Sequence, residues 1–147
     1  MAVVAVGSDH AGYHLRVVLA AHVAAAGHTV VDLGCATPDR CDYPDFGAAV
    51  GRAVVAREAD LGLCVCGSGI GIAMAANKIP GVRAATVHDV TSARLCREHN
   101  DANVICIGER FTGEQVALDA VDAFLAASFE GGRHAGRVAK IDALLAG

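Results

Sequence analysis

Tryptophan is absent from this 147-residue chain, and two tyrosines with four phenylalanines supply only 4 % aromatic content. So few rings argue against a surface that stacks nucleic-acid bases. A basic footprint is missing as well. Lys and Arg number 12 against 16 Asp and Glu, a net charge of −4, so no nucleic-acid partner is expected. The first residues carry no basic segment ahead of an apolar one, and no run approaches the ~20 apolar residues of a membrane span. The expectation is a cytoplasmic protein with no membrane partner. Six cysteines occur, yet none form a C-x-x-C pair. Reduced thiols used as small apolar fillers are therefore expected instead of disulfides. Neither G-x-G-x-x-G after the first apolar run nor a glycine-rich loop followed by G-K-[ST] is present, so no dinucleotide or P-loop signature is read.

What is abundant is small and apolar: hydrophobic residues make up 54 % of the chain, much of that alanine and valine. Short apolar runs at 2–7, 29–33, 61–66, 83–87 and 104–108 alternate with longer helical stretches. Runs that are apolar on both faces, separated by helices, predict a parallel sheet covered on both sides. The expectation is a three-layer α/β domain spanning 1–147, with five strands and a C-terminal helix. Helices are predicted up to a glycine stop at Gly27, then over 45–57, 68–78, 91–98 and 113–127. A further, amphipathic helix at the C-terminus carries Ile141, Leu144 and Leu145. The Pro-containing segment 34–47 reads as a long loop, a type of segment that is often functional.

The stretch "DLGLCVCGSGIGIA" (60–73) departs from plain α/β patterning. An apolar run ends at Cys66, and Gly67, Gly69 and Gly71 follow with Ser68 among them. Stripped of side chains, a turn that opens a helix exposes backbone N–H groups that attract anions. A thiol beside such donors ionises more readily. Sites in parallel sheets gather at the carboxyl ends of strands, where the first run delivers Ser8-Asp9-His10 and the fifth Gly108-Glu109-Arg110. His99 and Asn100, just before the fifth run, are expected at that same edge. His10 and His14 share an i, i+4 spacing but lack a third ligand, so no metal is assigned. Arg133, His134 and Arg137 fall on adjacent turns and suit phosphate oxygens. A thiol redox reading would need a resolving cysteine, and Cys64 is expected to point away from Cys66.

Five blocks together, "GSDHAGYHLR", "DYPDFG", "CGSGIGIAMAANKIPGVRA", "REHNDANVICIG" and "FEGGRHAGRV", closely resemble the type B ribose-5-phosphate isomerases. That group includes the galactose-6-phosphate isomerase subunits of the lactose pathway. The resemblance, spread over nearly the whole chain, implies a Rossmann-like domain and a homodimer, or a tetramer, whose active sites draw on both subunits. It implies an aldose–ketose isomerase of the pentose phosphate pathway with a sugar-phosphate substrate and no cofactor. Roles follow by position. Cys66 matches the base that moves a proton between C1 and C2. Gly67, Ser68, Gly69 and Gly71 match the loop holding the enediolate, and His99 the residue that opens the sugar ring. Asn100, Asp9 and Tyr43 match residues near the sugar, while His10, Arg133 and Arg137, with Arg110 and His134, match the phosphate side. Members without the cysteine use a glutamate within the loop. Ile72 stands at that position here and cannot take a proton. Where many members have Thr, this chain has Ser68. Another sugar phosphate, a six-carbon 6-phosphate or a tetrose 4-phosphate, stays open as substrate, and a non-catalytic phosphate-binding module is the competing class.

Overall fold

The computed structural model describes residues 1–145. Five strands, β1 (Val3–Ser8), β2 (Thr29–Asp32), β3 (Leu61–Cys66), β4 (Ala84–Thr86) and β5 (Val104–Gly108), form one parallel sheet in the order β2-β1-β3-β5-β4. Helices α1 (Tyr13–Ala25), α2 (Tyr43–Val55), α3 (Gly71–Ala76), α4 (Val90–Asn100), α5 (Glu114–Ala126) and α6 (Arg133–Ala143) complete it. The chain leaves β1 toward β2, then returns through α2 to place β3 on β1's other side. That reversal opens a crevice at the carboxyl ends of β1 and β3, where parallel sheets bind ligands. None of the described helices is long and apolar enough to cross a membrane.

The strands sort their side chains by size. Val4, Val6, Leu63, Val65, Ile105 and Ile107 face α1, α4 and α5. On the opposite face Ala5, Cys64, Cys66, Val104 and Cys106 meet α2 and α3, with Gly7 and Gly62 between them. A β-carbon on Gly62 would lie 2.6 Å from Val50, and one on Gly7 would lie 2.7 Å from the same side chain. Small residues on this face therefore let α2 ride close to the sheet. Cysteine serves there as a compact apolar filler, as composition suggested.

Three predicted boundaries move. The second helix begins at Tyr43 instead of 45, because Pro44 sits in the first turn, where a missing N–H costs nothing. The long loop accordingly ends before Tyr43. The helix predicted over 68–78 shrinks to Gly71–Ala76. Gly69 takes φ +74°, a left-handed turn that a continuous helix cannot contain. α4 runs on through His99 and Asn100 to a left-handed Asp101. Its start is fixed by a reciprocal cap between Asp89 and Ser92.

Candidate active site

At the carboxyl end of β3 the chain turns sharply, and the Gly69 N–H donates to the Cys66 sulfur at 3.1 Å. Ser68 Oγ accepts from the Ile70 N–H at 3.2 Å, and Thr86 Oγ1 donates to the Gly69 carbonyl at 2.7 Å, tying β4 to the turn. Gly69 admits no side chain: its β-carbon would fall 2.9 Å from the backbone of Ile107 and Gly108. Among the described residues, no acceptor takes the N–H groups of Gly67, Ser68 or Gly71. They form a row of donors beside the sulfur, the arrangement suited to an oxyanion.

A cleft of about 470 Å³ opens over this turn. Cys66, Gly67, Ser68 and Gly71 line it from β3 and its turn, Asp9 and His10 from the loop after β1, Tyr43 from α2 and Arg110 from the loop after β5. Asp9 is buried, and its Oδ1 accepts the Gly12 N–H at 3.0 Å. It thus turns the chain into α1 while its carboxylate borders the cleft. His10 Nδ1 meets both the N–H of Cys41 at 3.2 Å and its carbonyl at 3.1 Å. One contact serves each protonation state of that nitrogen, and either way the loop before α2 is docked on the histidine. Arg110 lies over the turn, its guanidinium carbon 3.2 Å from where a β-carbon on Gly67 would stand. Ile72, fully buried beneath, belongs to the core.

Tyr43 packs edge-on against the turn. A β-carbon on Gly71 would come within 2.7 Å of its ring. The ring is 42 % exposed and can yield, so Gly71→Ala is expected to displace it from the cleft at little cost in stability. A ligand that Tyr43 touches in the cleft should then bind roughly tenfold more weakly, the effect of losing ~1.4 kcal/mol of contact, with an unchanged melting temperature.

The remaining predicted residues do not join this cleft, which corrects the expectation of a single convergent edge. α4 starts at the carboxyl edge and runs back antiparallel to the strands. An 11-residue helix covers ~16 Å, so its last turn delivers His99 and Asn100 to the amino edge. Asn100 borders a separate groove of about 430 Å³ with Arg83, Asp142, Leu144 and Leu145. His99 stacks on His134, ring centroids 4.3 Å apart. Burial, then Arg133 and His99 nearby, lowers the pKa of His134. Arg133 and Arg137 project from the same first turns of α6 into solvent. One chain thus carries two polar clusters at opposite ends of its sheet.

Three thiols outside the turn are shifted upward. Burial, then the adjoining Cys35 thiol, pushes Cys41 up to about 11. Burial takes Cys96 to about 11. A hydrogen bond with Cys64, then burial, holds Cys106 well above the thiol range. These three stay protonated near neutral pH. Cys64 does not point away from Cys66. Residues two apart on a strand share a face, and both thiols lie in the α2/α3 layer, where Cys64 is paired in register with Cys106.

Two residues to which the sequence assigned no role shape the cleft. Glu109 Oε1 accepts the Leu15 N–H at 2.7 Å, capping α1 from the loop that carries Arg110. Arg16, buried, donates to Ser8 Oγ at 2.9 Å and to the Cys35 carbonyl at 2.8 Å, fastening the end of β1 to the following loop. Neither partner pair is close in sequence, so no local pattern announces them.

The model of the family described as Ribose/Galactose Isomerase matches residues 4–141. Ribose-5-phosphate isomerase B of Escherichia coli is 43 % identical over 96 % of this chain and 95 % of its own length. Galactose-6-phosphate isomerase subunit LacB of Clostridium acetobutylicum is 41 % identical over 87 % of this chain and 74 % of its own. The structure of Clostridium thermocellum ribose-5-phosphate isomerase B superposes with a TM-score of 0.95 at 48 % identity, covering 97 % of this chain and 96 % of that one. The chain belongs to the ribose/galactose isomerase family.

Proposed function

We propose that this family member interconverts ribose 5-phosphate and ribulose 5-phosphate, with Cys66 as the proton-transferring base. The observation that carries the reading is the Cys66 sulfur, held by the Gly69 N–H beside unengaged amides on the floor of the cleft. In the aldose direction the Cys66 thiolate removes the proton on C2, and electrons move into the C1 carbonyl. The N–H groups of Gly67, Ser68 and Gly71 receive the resulting oxyanion. Each such donor is worth roughly 3 kcal/mol of barrier. The thiol then returns its proton to C1 while a proton passes from O2 to O1, giving the ketose. Asp9 and Tyr43 border the sugar, and His10 and Arg110 take the phosphate end.

Ring opening calls for an acid–base group, and the cleft of one chain holds no His99. A homodimer supplies it: the partner subunit's His99 opens the ring, and its Arg133 and Arg137 close over the phosphate. Two half-sites at opposite sheet edges are what such an exchange requires. A cytoplasmic setting suits a sugar-phosphate enzyme whose six cysteines are all free.

The test is a panel of sugar phosphates with purified protein and no added metal, read as kcat/KM. Ribose 5-phosphate is expected to exceed six-carbon 6-phosphates by at least about tenfold, as one pocket-filling carbon unit typically commands. Binding without turnover on every member of the panel would overturn the isomerase reading.

A further inference from the structure

We propose that His99, Glu130 and His134 form a zinc-binding site that, when filled, shuts the isomerase down. Among the described residues this is the one group of three potential ligands whose donor atoms all lie within 4.8 Å of one another. Two imidazoles and a carboxylate are a donor set that zinc accepts with its fourth position open. Ligand atoms around tetrahedral zinc stand roughly 3.3 Å apart, as bond lengths of ~2.0–2.2 Å require. The His134 Nε2 to Glu130 Oε2 separation is already 3.6 Å.

A second observation points to a ligand. His134 is only 7 % exposed, and its Nε2 is buried with no hydrogen-bond partner. That nitrogen lies 3.6 Å from the Glu130 carboxylate, while the His99 ring stacks on the face of its imidazole, so His99 must rotate out of the stack to bring a nitrogen lone pair to the same ion. Buried polar atoms are normally satisfied, and a coordinated cation would satisfy this one. The three ligands come from separate anchors: His99 from the last turn of α4, His134 from the first turn of α6, Glu130 from the segment between α5 and α6. The Glu130 N–H donates to the Glu98 carbonyl at 3.0 Å, which pins that segment to α4. The Glu130 side chain is half exposed and free to swing onto the metal. Arg133 and Arg137, both exposed, oppose a cation through solvent and weaken its binding without removing a donor.

The inhibitory half rests on the ring-opening role given to His99 under the proposed function, because a metal-bound imidazole cannot shuttle protons. The metal-binding half does not rest on it. Cobalt(II) titrated into the intact protein is expected to give visible ligand-field bands at about one equivalent per chain, without the thiolate charge-transfer absorption that cysteine ligation would add. Glu130→Gln should weaken zinc, measured by competition with a chromophoric chelator, by at least about tenfold. The same variant should keep the wild-type kcat and resist zinc inhibition, and a chelator should restore the zinc-treated wild type. A thiolate band, or unchanged affinity in both Glu130→Gln and His134→Gln, would overturn the site. Zinc that binds, weakens with Glu130→Gln and yet leaves turnover intact would support the site and overturn the ring-opening role of His99.

Discussion

Cys66→Ala is expected to lower kcat by ~10²–10⁴-fold, the range contributed by a positioned acid–base group, and to abolish solvent-deuterium incorporation at C2. Folding should survive. The sulfur is buried at the floor of the cleft, and the substitution removes one atom and one N–H contact. The Gly69 amide it frees can turn to water in the cleft. Binding of a sugar phosphate should persist, since the groups assigned to the phosphate are untouched. Undiminished deuterium exchange in Cys66→Ala would take the base role from this residue. Three other thiols cannot inherit it easily: Cys41 is held protonated by burial and by Cys35, Cys96 by burial, and Cys106 by its hydrogen bond with Cys64 and by burial.

Mixing two dead variants should restore activity. Chains with Cys66→Ala and chains with His99→Asn, co-refolded at equal amounts, pair at random into two kinds of parental dimer and one hybrid. Half the dimers are hybrid, and each hybrid has one site with both an intact sulfur and an intact imidazole. About a quarter of wild-type activity is therefore expected if sites form between subunits. Sites formed within one chain would give none, because every chain carries a lesion. The measurement thus decides between the two without a crystal. The placement of His99 at the amino edge, away from Cys66, is what makes the outcome informative.

The sheet was legible in the sequence because its strands are apolar on both faces, and the third run showed its end through the cysteine and glycines that follow. Gly27 marked the end of α1 as expected, with φ +97°. Boundaries failed where turn chemistry outran periodicity: Gly69 delayed the start of α3, and Pro44 started α2 early. The larger miss was directional. His99 lies next to β5 in sequence, and that nearness suggested a common edge with Cys66. A helix between parallel strands must run the other way, so its last residues land opposite the strand ends. The contacts of Glu109 and Arg16 were invisible for a different reason, since their partners lie 94, 8 and 19 residues away. For Cys64 the period of two was misapplied; it shares the Cys66 face.

The thin side of the sheet carries a consequence for how this enzyme can change. Ala5, Gly7, Gly62 and Cys64 set the gap beneath α2, and the first residue of that helix is Tyr43. A bulkier side chain anywhere in that stratum would jack the helix outward and carry the tyrosine with it. The aperture above the sulfur is thus calibrated from below, by residues that no sugar ever touches.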